Sequence, residues 1–154
     1  MIDVKKILVA TDFSDHARTA LEYAASFASS FGSEVLLCHV VPGPDLLSQL
    51  PPGGEGYFPP NFTDSQQQAA TEEGNRWLQD AGVSGGRMLT PAGTPFVEIV
   101  RLAREEDVDL VVVGTHGRGA VAHMLPGSVA EKVVRKSPCP VLTVPQKGHT
   151  FSMP

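Results

Sequence analysis

The sequence predicts an α/β fold: a single domain on a five-stranded parallel sheet, doubly wound, with helices on both faces. Three observations predict it. Short apolar runs alternate with longer segments of helical period, from one end of the chain to the other. The most apolar run, "VDLVVVG", shows no polar alternation, as befits a central strand covered on both faces. The 154 residues are 42% hydrophobic and 19% charged, an ordinary balance for a chain long enough to close one core.

The elements follow in order. "KKILVATD" is a short β-branched run ending at Asp12 and reads as a buried strand. In "FSDHARTALEYAASFASSFGS", apolar residues fall at Ala17, Ala20, Leu21, Ala24, Phe27, Ala28 and Phe31, on one helical face. Ser14 is placed to cap that helix and Gly32 to end it. "EVLLCHVV" is a second buried strand, ending near Val40 or Val41. Six of the 13 prolines and four of the 15 glycines then fall within residues 42–60, so 42–62 reads as a surface excursion without regular structure. Thr63 and Gln66 have capping-box spacing for the next helix, which Gly82 would stop. "GRMLTPAG" is a weak strand. "TPFVEIVRLAREED" is a helix with Thr94 as cap, Pro95 at its first position and an apolar face of Phe96, Ile99, Val100 and Ala103. After "VDLVVVG" come a glycine-bearing loop, the helix "VAEKVVRK" and a last strand, "PVLTV", bracketed by Pro140 and Pro145 as an edge strand can be. The domain is expected over 1–146, with 147–154 a patternless tail.

Composition narrows the function. A net charge of −5 argues against binding nucleic acid through its phosphates. Two cysteines, Cys38 and Cys139, argue against a disulfide scaffold and for a reducing compartment. The N-terminal apolar run, "ILVA", is too short for a signal peptide or a membrane span. The expectation is a cytoplasmic protein with no membrane partner.

In open α/β sheets, ligands bind beyond the carboxyl ends of the strands, where the strand order switches. Two strand ends qualify: "VATDFS" and "VVGTHG". The second opens "GTHGRGAVAHMLPGS", with glycines at 114, 117, 119 and 127. Glycine lets successive N–H groups turn toward an anion, and the loop ends at a helix N-terminus, which favours phosphate. Arg118 adds a positive charge and Ser128 a hydroxyl. Hydrogen bonds to charged groups contribute roughly 1.5–3 kcal/mol each, so a handful together with adenine burial reaches micromolar binding. The blander reading also stands: Ser128 and Glu131 form a capping box, which needs no ligand. The loop is neither a Walker A sequence nor a GxGxxG fingerprint.

The pattern Gly-x2-Gly-x9-Gly-Ser, between the fourth strand and the last helix, resembles the ATP-binding motif of universal stress protein domains. The likeness runs nearly end to end, through "KKILVATDFSDHA", "EVLLCHVV", "GTPFVEIVRLAREEDVDLVVVGTHGRG" and "GSVAEKVVRKSPCPVLTVP". The resemblance implies a Rossmann-like adenine-nucleotide-binding fold, usually dimeric. By position it places Ala10, Thr11 and Asp12 near the ribose and adenine. Val40 would meet the adenine, partly through its backbone. Gly114, His116, Gly117, Arg118, Gly127, Ser128 and Val129 would surround the ribose and phosphates. The implied cofactors are ATP, with ADP or AMP as variants, and Mg²⁺, with Asp12 near the metal through Mg-ATP. Two departures stand out: Ala10 replaces a frequent proline, and Pro126 precedes Gly127 where an aliphatic residue is common.

The resemblance implies a nucleotide-dependent sensor or regulator in the stress response. The last strand, "PVLTV", is apolar and terminal, an edge that needs a partner or cover, so a homodimer through the C-terminal strand is expected. Slow ATP hydrolysis or autophosphorylation is the enzymatic alternative, but no general base and no carboxylate set beyond Asp12 is evident. A dimeric interaction module with purely structural nucleotide is the third. A phosphoacceptor receiver is disfavoured, because "RMLTP" lacks the acid such a domain needs after its third strand. Asp12 could instead only cap the loop that follows its strand. His39 and His116 flank the site and read as hydrogen-bonding or packing residues. Trp77 reads as core and Cys139 as structural. Tyr57 and Phe58 are candidates for a lid or for a disordered insert.

Overall fold

The computed structural model describes residues 1–49, 58–115 and 128–145. Its elements run β1 (Lys6–Ala10), α1 (Asp15–Phe31), β2 (Glu34–Cys38), α2 (Pro44–Leu47), α3 (Phe62–Asp80), β3 (Arg87–Leu89), α4 (Pro95–Glu105), β4 (Leu110–Gly114), α5 (Ser128–Lys136) and β5 (Val141–Val144). The five strands form one sheet in the order β3-β2-β1-β4-β5, and every pairing is parallel. Alternate strand residues serve opposite faces. Ile7, Val9, Val35, Leu37, Val112 and Val144 pack with Leu21, Ala24, Trp77 and Leu78, so α1 and α3 cover one face. Leu8, Leu36, Cys38, Val111 and Val113 pack with Ile99, Leu102, Ala103, Ala130 and Val133, so α4 and α5 cover the other. The doubly wound α/β architecture is as the sequence predicts.

The caps are mixed. Ser14 Oγ accepts from Ala17 N, and Gly32 closes α1 in the left-handed region at φ 71°. Phe31, assigned to the apolar face, is 55% exposed. Seventeen helical residues span about 25 Å, whereas a five-residue strand spans about 17 Å. The last turn therefore overhangs the core. The capping box at Thr63 and Gln66 does not form. α3 starts two residues earlier than a Thr63 cap requires, with Asn61 as its cap residue, and Thr63 Oγ1 donates instead to Pro42 O at 3.2 Å. Thr63 thus lies inside the helix, and its hydroxyl donates to a tertiary carbonyl rather than accepting from a local N–H. Thr94 precedes α4 without a side-chain capping bond. The proline-rich excursion is not wholly irregular, for α2 forms one turn at its start. Its residues 50–57, Tyr57 included, lie outside the described residues, while the Phe58 ring meets Phe62 at 4.6 Å.

The amino ends of the strands are tied together. The Asp109 carboxylate accepts from the backbone N–H groups of Lys5 and Lys6 at 2.8 and 2.9 Å. Lys6 Nζ donates to Glu106 O at 2.7 Å. Arg87, on the three-residue edge strand β3, bridges Glu34 and Glu106, both at 2.7 Å.

Candidate functional site

The strand order reverses at the centre of the sheet. From β1 the chain proceeds outward to β2 and β3; from β4 it proceeds the other way to β5. The switch point thus lies between the carboxyl ends of β1 and β4, where a crevice for a ligand is expected. Ala10 ends β1 and Gly114 ends β4, opposite Val144 of β5. Thr115 N then donates to Val144 O at 3.1 Å.

The segment 11–14 leaves the sheet sharply. Thr11 N continues the ladder by donating to Cys38 O at 2.8 Å. Phe13 then takes φ +60°, a left-handed conformation rare for an aromatic residue. Two short side chains hold this turn. Thr11 Oγ1 accepts from Phe13 N at 3.0 Å, and Asp12 Oδ1 accepts from Ser14 N at 2.9 Å. Both are side-chain turns that Thr and Asp form readily. Thr11 is 8% exposed, and Asp12 is half-buried. The Phe13 ring lies 4.8 Å from His39 and meets Trp77 edge-on at 5.3 Å. Arg18 covers Trp77 at 4.3 Å, and Trp77 Nε1 donates to Glu73 at 2.9 Å.

Beyond β2 the chain stays extended. His39 N donates to Leu89 O and Val41 N to Pro91 O, both toward the β3 side, and Val41 forms an isolated parallel bridge with Ala92. Extended residues alternate direction, so Val40 turns its own N–H and C=O the other way, toward the place β1 has left. No described residue bonds either group. The His39 ring reaches the same place: Nδ1 lies 2.8 Å from Thr11 O. A carbonyl only accepts, so Nδ1 carries the proton.

Of the residues singled out from the sequence, Ala10, Thr11, Asp12, Val40 and Gly114 stand at or beside the switch point. The backbone of Ser128 opens α5, and Val129 in its first turn is 38% exposed. His116, Gly117, Arg118 and Gly127 lie outside the described residues, as does the side chain of Ser128. His39 has the hydrogen-bonding and packing role expected of it, and Trp77 is core. The left-handed Phe13 and its part in the turn were not anticipated; the "TDFS" string, two turn-forming side chains at a strand end, was the available signal.

Among the described residues no group of three or more His, Cys, Asp or Glu side chains is gathered to hold a metal ion. Both cysteines are free thiols. Cys38 is buried, and desolvation pushes its thiol up to about 12, with the Glu98 carboxylate adding to the shift. Cys139 is raised as well, by partial burial, against the hydrogen bond from Ser137. No described helix is long and apolar enough to cross a membrane.

Comparison with known proteins places this geometry in a family. The profile of the universal stress protein family matches residues 3–145. Universal stress protein MJ0577 of Methanocaldococcus jannaschii is 33% identical, the match covering 94% of this chain and 96% of that one. The solved MJ0577 structure superposes with a TM-score of 0.78 at 30% identity, covering 96% of this chain and all, 100%, of the other. A universal stress protein solved in complex with cAMP superposes with a TM-score of 0.67 at 27% identity, over 93% of this chain and 98% of that one. A match of this length to the family profile and to a full-length relative, on a shared fold, leaves one assignment: the chain belongs to the universal stress protein family.

Proposed function

We propose that the protein binds an adenine nucleotide, ATP foremost, between the carboxyl ends of β1 and β4, and acts as a nucleotide-dependent regulator in the cytoplasm. The unbonded peptide edge of Val40, beside a switch point, carries this reading. An N–H and a C=O on one side of one residue complement the N1 acceptor and N6 donor of adenine; guanine, in the same orientation, presents those positions with donor and acceptor reversed. Adjacent strands lie about 4.8 Å apart, so the departure of β1 opens a gap of about two spacings between β2 and β4, enough for a flat base. The cAMP complex of a relative supports the ligand class. Gly114, Gly117, Arg118, Gly127 and the α5 terminus at Ser128 and Val129 would take the ribose and phosphates. Mg²⁺ would enter with the phosphates, Asp12 supplying a carboxylate, as suits an ion that keeps most of its waters.

Calorimetric titration of nucleotide-stripped protein with Mg-ATP tests the reading. Heat and a raised melting temperature are expected; neither at millimolar ATP overturns it. Mass spectrometry of small molecules released from freshly purified protein identifies the preferred nucleotide.

β5 is an edge strand whose outer side has no strand partner among the described residues, and its "VLTV" sequence is apolar. A homodimer through this strand follows from that edge. Sedimentation should show a dimer at micromolar concentration, and Leu142→Arg should yield a monomer.

A further inference from the structure

The β1–β2 ladder stops one step before its register requires, and side chains stop it. Ala10 pairs with Cys38 in a parallel ladder, and Thr11 N bonds Cys38 O. The next step of the same ladder would have Val40 N donate to Thr11 O and Phe13 N donate to Val40 O. Neither bond forms. Thr11 O is taken by His39 Nδ1 at 2.8 Å, and Phe13 N is taken by Thr11 Oγ1 at 3.0 Å. Both β1 groups that would have closed onto Val40 are thus satisfied by side chains, and Val40 keeps a donor and an acceptor facing the crevice. Val40 is half-buried, and the diversion of both its ladder partners onto side chains is what leaves its peptide edge open at the crevice.

We propose that His39 and Thr11 are positioning residues: they hold the ladder open so that the Val40 peptide stays available to the base. This deepens the adenine reading and rests on it for its ligand, although the ladder geometry stands apart from any ligand. The Phe13 ring, tilted against His39 at 4.8 Å and met edge-on by Trp77, packs against the imidazole that bonds Thr11 O. His39 thereby contributes to affinity without contacting the nucleotide.

The test combines amide hydrogen exchange, resolved by NMR on the full chain, with calorimetry. In the nucleotide-free protein, the Val40 amide should exchange at least about tenfold faster than the amides of His39 and Val41, and ATP should slow it. His39→Ala frees Thr11 O. Val40 N–H should then close onto it, so Val40 exchange slows and ATP affinity falls about tenfold, as for the loss of one good hydrogen bond. His39→Asn, whose amide nitrogen sits near the Nδ1 position, should restore both. Thr11→Val removes the second diverting group at equal size and should lower affinity, with Thr11→Ser as its rescue; this pair carries the test if His39→Ala does not fold. The preference for ATP over GTP should narrow in His39→Ala and Thr11→Val and return in the rescues, which a general loss of stability would not produce. Unchanged Val40 exchange in folded His39→Ala and Thr11→Val overturns the proposal. Wild-type protein that ignores ATP overturns the nucleotide reading, and the exchange measurements still decide whether His39 and Thr11 hold the ladder open.

Discussion

Replacing Cys38 with alanine should change how stability depends on pH, and the size of the effect can be worked out. Cys38 is 1% exposed, between the sheet and α4. Burial raises its thiol from 9.0 to about 12. Above pH 9 the unfolded thiol ionises while the native one keeps its proton, so the native state binds more protons and stability falls as pH rises. The contribution is complete below the unfolded value and is lost as pH climbs toward the folded one. Three units at about 1.36 kcal/mol each make about 4 kcal/mol over that window, a slope of about 1.4 kcal/mol per pH unit. Cys38→Ala leaves a small cavity costing about 1 kcal/mol at any pH, but it removes the slope. Urea unfolding followed by Trp77 fluorescence, in reductant, measures both. Wild type should be the more stable by about 1 kcal/mol near pH 8, and the order should reverse between about pH 9.5 and 10. Contributions common to both proteins cancel in the difference. Two stability curves that stay parallel to about pH 10.5 would refute the reasoning, because the native thiol would then ionise as freely as the unfolded one.

Two further substitutions probe the local geometry. Gly32→Ala should cost about 1–2 kcal/mol, from left-handed strain alone, since a Cβ there meets nothing within 4 Å; thermal unfolding with unchanged helix content would show it. Trp77→Leu should cost about 2–4 kcal/mol through lost packing, and should also weaken ATP binding, because Phe13 loses its edge-on support. Calorimetry on the folded variant reads the second effect, and affinity equal to wild type would show that the 11–14 turn holds itself.

The strands were legible because sheets covered on both faces demand unbroken apolar runs: "ILVA", "EVLLC" and "LVVV" have few other uses. The α1 caps were legible because Ser14 and Gly32 act within a few residues of themselves. Thr63 misled because its partner, Pro42 O, is 21 residues away and invisible to local spacing. The site divides in the same way. Asp12 as a turn-former could be read from its neighbours, and so could Gly114 at a strand end. That His39 would take the carbonyl of Thr11 depends on two strands lying in register, 28 residues apart. His39 could be expected to bond something, but its partner waited on the fold. The phosphate-side expectations at His116, Gly117, Arg118 and Gly127 lie outside the described residues and rest on the resemblance and on the tests above.

The tied amino ends bear on how the molecule can be handled. Because all five strands are parallel, Asp109, Arg87 and Lys6 secure the pole where each strand begins, and the crevice opens at the opposite pole. Residues 1–3, exposed ahead of β1, emerge at the secured pole. A tether fused ahead of Met1, on a sensor chip or a scaffold, would therefore hang the protein from its rigid end. The ligand would arrive from the open side, with the attachment about a strand's length, roughly 17 Å, behind it.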